Sequence, residues 1–109
     1  MEAKNEECRT DFVNENTRGP TGTLPSGTPI FTVTITNNCP TNCRILDLHL
    51  NCESFTSEIP IPPNIFRSVG TNDCLVNNGL PIGTGNVVTF EYAHREMFDL
   101  LVLSVDCAP

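Results

Sequence analysis

Six cysteines, Cys8, Cys39, Cys43, Cys52, Cys74 and Cys107, run from near the first to near the last of 109 residues. In so small a chain an even set of this kind reads as a disulfide framework formed in an oxidising compartment. The bridges matter because the core is thin. A chain of this length buries about 60–70% of the surface its unfolded form exposes. Its apolar residues are 39% of the total, with no Trp and one Tyr, so Leu, Ile, Val and six Phe must supply the interior. Bridges that close medium loops each add roughly 2–4 kcal/mol. The spacing leaves the connectivity undetermined, except that Cys39 and Cys43 are not expected to bridge across so short a loop. A zinc site asks for a closer-spaced ligand pair and a matching second pair, which Cys39-x3-Cys43 with His49 and Cys52 nearby does not supply. No metal and no cofactor are expected.

The order of elements predicts one domain over 1–109. Residues 1–10 are charged and read as a mobile N-terminal segment up to Cys8; residues 14–29 read as a Pro/Gly/Thr-rich loop. Phe31, Val33 and Ile35 alternate with Thr32, Thr34 and Thr36, the period of a half-buried strand. A second strand covers 44–51, with Leu46, Leu48 and Leu50 on one face. A weaker strand is expected over 53–59, before Pro60, Pro62 and Pro63. Short extended pieces follow at 65–69 and 74–77, then a turn at Asn77-Asn78-Gly79. Alternation returns over 87–92. The apolar run 98–105 reads as a central strand covered on both faces. The one rival is 92–103, where Ala93, Glu96 and Met97 allow a helical turn. Many short strands with turns between them predict an all-β, disulfide-stabilised antiparallel β-sandwich.

Charge narrows the function. Thirteen acids against six bases give a net charge of −7. Phosphate backbones require clustered cations, and the bases here are scattered, so nucleic acid is not an expected partner. No apolar stretch approaches the roughly 20 residues of a spanning helix, so no membrane insertion is expected. The opening Met1–Glu7 is acidic and polar and does not read as a signal peptide. The cysteines favour reading the chain as the mature part of a secreted protein. His49 and His94 lack a Gly-x-Ser-x-Gly elbow. They read as a histidine on the polar face of a strand and one in a loop, and no catalytic residues are expected. A cell-wall polysaccharide module is the alternative; it would need exposed rings, for which Phe12, Phe55 and Phe66 are the candidates.

Several strings together resemble one plant family. They are Leu24-Pro25-Ser26-Gly27, Phe66-Arg67, Asp73-Cys74-Leu75-Val76-Asn77-Asn78-Gly79-Leu80-Pro81, Phe90-Glu91-Tyr92-Ala93 and Ser104-Val105-Asp106-Cys107. With the cysteine order, they resemble the tapetum determinant family over practically the whole chain, from about Cys8 to Cys107. The resemblance implies a small secreted, cysteine-rich plant protein of the apoplast, not an enzyme. It implies an extracellular ligand of a leucine-rich-repeat receptor kinase ectodomain that specifies cell fate, in the anther and tapetum for the family. It also implies that all six cysteines are structural. Partner contacts are then expected from loops, because strands supply the scaffold. The candidates are Leu24, Pro25, Phe66, Arg67, Asn77, Asn78, His94, Arg95 and Phe98.

Overall fold

The alternation at 31–36 produces the strand it predicts. Phe31, Val33 and Ile35 are buried while the threonines between them turn outward, as a period of two requires. The computed structural model describes residues 10–40 and 43–108. Seven strands are present among them: β1 (Val13–Thr23), β2 (Pro29–Asn37), β3 (Arg44–Asn51), β4 (Phe66–Gly70), β5 (Asp73–Val76), β6 (Val87–Ala93) and β7 (Leu101–Ala108). They make two antiparallel sheets, β1-β2-β6 and β4-β5-β3-β7. Their inner faces enclose one core, and Phe66 of β4 stacks on Phe90 of β6 with ring centroids 4.4 Å apart. The chain is all-β, with no α-helix among the described residues.

Several local expectations are corrected. The stretch read as a loop over 14–29 is a strand as far as Thr23, followed by a turn. Its threonines pair with β2 in register from Val13↔Asn37 to Thr23↔Pro29, with an irregularity between Arg18 and Gly22. No strand forms over 53–59, and 92–103 carries no helical turn. On β3 the buried residues are Ile45, Leu48 and Leu50, with Leu46 only half-buried. Asp47 stands at φ 51°, and the pairing with β7 shifts register between Leu46 and His49. An irregularity there exchanges the two faces, which simple alternation cannot foresee. The run 98–105 is not a central strand. β7 lies at a sheet edge, and its Leu101 and Leu103 are 58% and 46% exposed.

The cysteines bring one more correction. Cys39 and Cys43 bridge each other, with Cα atoms 5.9 Å apart. The reason lies in Asn37, whose side chain continues the inward parity of β2 and is 1% exposed. Its Oδ1 accepts the Cys39 N–H at 2.9 Å, and its Nδ2 donates to the Cys43 carbonyl at 2.8 Å. One amide therefore holds both backbones within bridging range. A second bridge, Cys52–Cys74, ties the end of β3 to β5 with Cα atoms 6.0 Å apart. Cys107 is disulfide-bonded as well, and no described cysteine is free. The expected mobile segment 1–10 and Cys8 lie outside the described residues, apart from Thr10, which opens a 3-10 turn.

Candidate functional site

Three connections meet at one end of the sandwich: the β1–β2 turn at 24–28, the segment 52–65, and the link 94–100 from β6 to β7. Glu58 joins the first two. Its carboxylate accepts from Thr28 Oγ1 at 2.7 Å and Ser26 Oγ at 3.2 Å, while its N–H donates to the Ala93 carbonyl at 2.9 Å. Next to it the Ser57 hydroxyl accepts the Ala93 N–H at 3.0 Å and donates to the Ile59 carbonyl at 2.8 Å. His94 N–H donates to the Pro29 carbonyl at 3.2 Å. The segment 52–65 has no ladder of its own, and these bonds fix it instead.

Aromatic packing fixes the third connection. Phe55 meets Phe66, Tyr92 and Phe98 at centroid distances of 5.2, 5.2 and 4.9 Å. The fully buried Tyr92 accepts the Phe98 N–H on its hydroxyl at 2.8 Å, and Phe98 lies 4.5 Å from the His94 ring. Burial pushes the Tyr92 phenol above its usual range, partly offset by that hydrogen bond. Rings that meet at such distances and tilts stabilise one another beyond their area burial. The link 94–100 is thereby held in one conformation.

The sequence-predicted contact residues fall into two groups. Leu24, Pro25, His94, Arg95 and Phe98 gather at the end just described; Pro25 and Arg95 are exposed, Leu24, His94 and Phe98 half-buried. Arg67, Asn77 and Asn78 lie along the β4 edge of the other sheet. There Arg67 Nη1 donates to Asn78 Oδ1 at 2.7 Å and to the Pro63 carbonyl at 3.1 Å. Asn77, Asn78 and Gly79 all have positive φ. A Cβ on Gly79 would come within 2.9 Å of Asp47 Oδ1, so the turn needs glycine there for space as well as for conformation. Phe66 is corrected outright: it is 4% exposed and belongs to the core. Phe12 and Phe55 are partly buried and pack against the core, so they do not offer the exposed rings that a polysaccharide module would need.

Tyr92 fell within the alternation over 87–92, though its hydrogen bond with Phe98 was not foreseen; sequence reading missed Asn37, Glu58 and Glu15. Only Asn37 left a signal, since it extends the buried parity 31, 33, 35 by one step. Glu15 lies half-buried on the same face of β1 as Val13. Desolvation raises its pKa above 4.5, the Thr17 hydroxyl that donates to it pulls the other way, and the charge of Asp99 adds to the rise. The folded state therefore holds this proton more tightly than the unfolded chain. The corresponding stability is complete below the unfolded pKa and is lost as pH rises through the folded one. Glu15→Gln is expected to raise the melting temperature at pH 7 and to make no difference at pH 4. An equal shift at both values would remove the carboxyl from this account.

What chemistry the surface offers is limited. His49 Nδ1 and Asp73 Oδ1 are 2.6 Å apart on the outside of the four-stranded sheet. No nucleophile hydrogen-bonds to His49 among the described residues. No group of three metal-ligating side chains occurs among them. An open cleft of about 420 Å³ lies between the segment 54–61 and β4, floored by Phe55, Ile61, Phe66 and the Cys52–Cys74 bridge. It has room for side chains of a partner and holds no convergent catalytic groups.

The comparisons bear on the whole described body. The family model for Tapetum determinant 1, C-terminal, matches residues 13–108. TPD1 protein homolog 1 of Arabidopsis thaliana is 42% identical over 90 residues, which is 83% of this chain and 50% of that protein. TPD1 protein homolog 1B of Oryza sativa subsp. japonica is 39% identical over 84 residues, covering 77% of this chain and 49% of its own. The chain thus spans about half the length of the curated relatives it matches. No solved structure matches.

Proposed function

Because the chain belongs to the tapetum determinant 1 family, we propose that it is a small secreted plant ligand that binds a leucine-rich-repeat receptor kinase ectodomain in the apoplast. Its role is signalling towards cell fate, and it performs no catalysis. The observation that carries this reading is the family match over residues 13–108. The geometry supports it. Loops stapled by Glu58, Ser57 and the aromatic cluster are ordered before any partner arrives, so association costs little further entropy. Loops on such a scaffold are where recognition is placed. The residues proposed to touch the receptor are Leu24, Pro25, His94, Arg95 and Phe98 at the end of the sandwich, and Arg67, Asn77 and Asn78 at its edge. The polysaccharide alternative loses its main support, because Phe55 and Phe66 turn inward.

The test is a binding screen of the oxidised protein against receptor kinase ectodomains, run beside retention on cellulose and xylan. Saturable binding to an ectodomain and free passage through both polysaccharides is the expected result. Retention on the polysaccharides with no ectodomain bound would reverse the reading.

A further inference from the structure

The two outer faces of the sandwich differ in kind. Outside the β1-β2-β6 sheet, Thr32, Thr34 and Thr36 stand in cross-strand rows with Arg18, Asn16 and Asn14 on one side and Glu91, Thr89 and Val87 on the other. That is the polar exterior expected of a sheet that faces water. The β4-β5-β3-β7 sheet is different. Directly opposed residues share a face, so the pairs Arg67↔Leu75↔His49↔Ser104 and Asp73↔Asn51↔Leu101 lie together outside. Six large apolar side chains are strongly exposed among the described residues: Val69, Leu80, Val87, Met97, Leu101 and Leu103. Three of them are on strands of this sheet, and Leu80 is in the turn that follows β5. Leu101 and Leu103 stand together on β7, and exposed apolar side chains that cluster on a sheet mark a candidate interaction site.

Charge indicates the partner. Among the described residues on this side, Asp47, Glu53, Asp73, Asp99 and Asp106 stand against Arg44 and Arg67, five carboxylates to two guanidiniums. Glu53 and Asp99 border a hollow of about 330 Å³ together with Asn51, Ser54 and Leu101. A hollow lined by two carboxylates, with Leu101 beside them, suits a lysine or arginine side chain, whose cationic head meets the carboxylates while its apolar stem lies along the leucine. The His49–Asp73 pair sits amid the leucines at 27% and 37% exposure. With Nδ1 donating to the carboxylate, Nε2 is left for a partner's hydrogen bond.

We infer that the outer face of the four-stranded sheet, centred on His49, Leu75, Leu101 and Leu103, docks a protein surface that carries basic side chains around an apolar centre. A second copy of the same face, equally acidic, is the wrong complement. The inference deepens the receptor reading and rests on it for the identity of the partner. Its test needs no receptor, so the two fail separately.

The probe is a twelve-residue peptide of alternating Lys and Leu, titrated into the isotopically labelled oxidised protein and followed by amide chemical shifts. Shifts are expected at His49, Glu53, Leu75, Asp99, Leu101 and Leu103, and not at Thr32, Thr34 or Thr36. Leu101→Ser with Leu103→Ser should weaken binding about tenfold or more, as loss of central apolar anchors does. Val87→Ser, on the other sheet, should leave it within about twofold, as substitution away from the contact does. Equal binding of a Lys/Ser peptide would overturn the inference, because charge alone would then suffice. Shifts on the threonine face, or self-association that buries the leucines, would overturn it too. A receptor screen with no binder would sink the signalling reading and leave the titration result standing.

Discussion

Asn37→Leu is expected to destabilise the protein by about 2–4 kcal/mol, which for a domain of this size lowers the melting temperature by about 10–25 °C. The side chain makes three buried hydrogen bonds: to the Cys43 and Ile82 carbonyls at 2.8 Å each, and from the Cys39 N–H at 2.9 Å. The carbonyls keep other donors, Thr84 Oγ1 for Cys43 and the Ile45 N–H for Ile82. The variant removes all three bonds at once at a position that is almost wholly buried, where lost hydrogen bonds are costly. Because the amide joins the end of β2 to the start of β3 and to Ile82, its loss also loosens one sheet from the other. Asn37→Asp should not rescue, since it sets carboxylate oxygens against two carbonyls. Melting curves for both variants decide it, and a shift of only a degree or two would show that Asn37 is dispensable.

Removing the Cys52–Cys74 bridge has the next largest effect. Cys52→Ala with Cys74→Ala opens a link that spans 22 residues, worth about 3 kcal/mol on the chain-entropy estimate. Opening Cys39–Cys43, with a separation of 4, should cost about 2 kcal/mol on the same estimate. The order of the two losses in denaturant titrations is the check. If the short bridge proved the more important, loop length would not be what sets their contributions. The longer bridge also floors the cleft beside β4 and joins the end of β3 to β5, the strand that carries Asp73. Its loss should weaken partner binding together with stability, whereas loss of the short bridge should spare binding.

The fold was legible wherever one physical rule acted alone. The threonine alternation at 31–36 settles a strand and its two faces, and 87–92 does the same for β6. Legibility failed where tertiary structure decided between locally equivalent options. Nothing before Asp47 announces that its positive φ will bring Ile45 inward in place of Leu46. An apolar run such as 98–105 reads alike for a central strand and for an edge strand with leucines to spare. The threonine, glycine and proline content of 14–29 suits a loop, yet pairing with β2 keeps most of it extended. The Cys39–Cys43 bridge depends on a neighbouring amide. For the candidate site, the turn at Asn77–Gly79 was legible from its residue types. The fixing contacts of Glu58 and Phe55 were not, because they join segments dozens of residues apart.

Tyr92 has a practical consequence. With no tryptophan and a single tyrosine in the chain, all intrinsic emission at long ultraviolet wavelengths originates from one phenol. That phenol touches Phe31, Phe55 and Phe98 and receives the Phe98 amide proton. Its optical signal therefore reports one junction, where the interior meets the connection between the last two strands. Backbone dichroism reports the sheets as a whole. Recorded side by side, the two spectra distinguish detachment of that connection from collapse of the entire body, without any introduced dye.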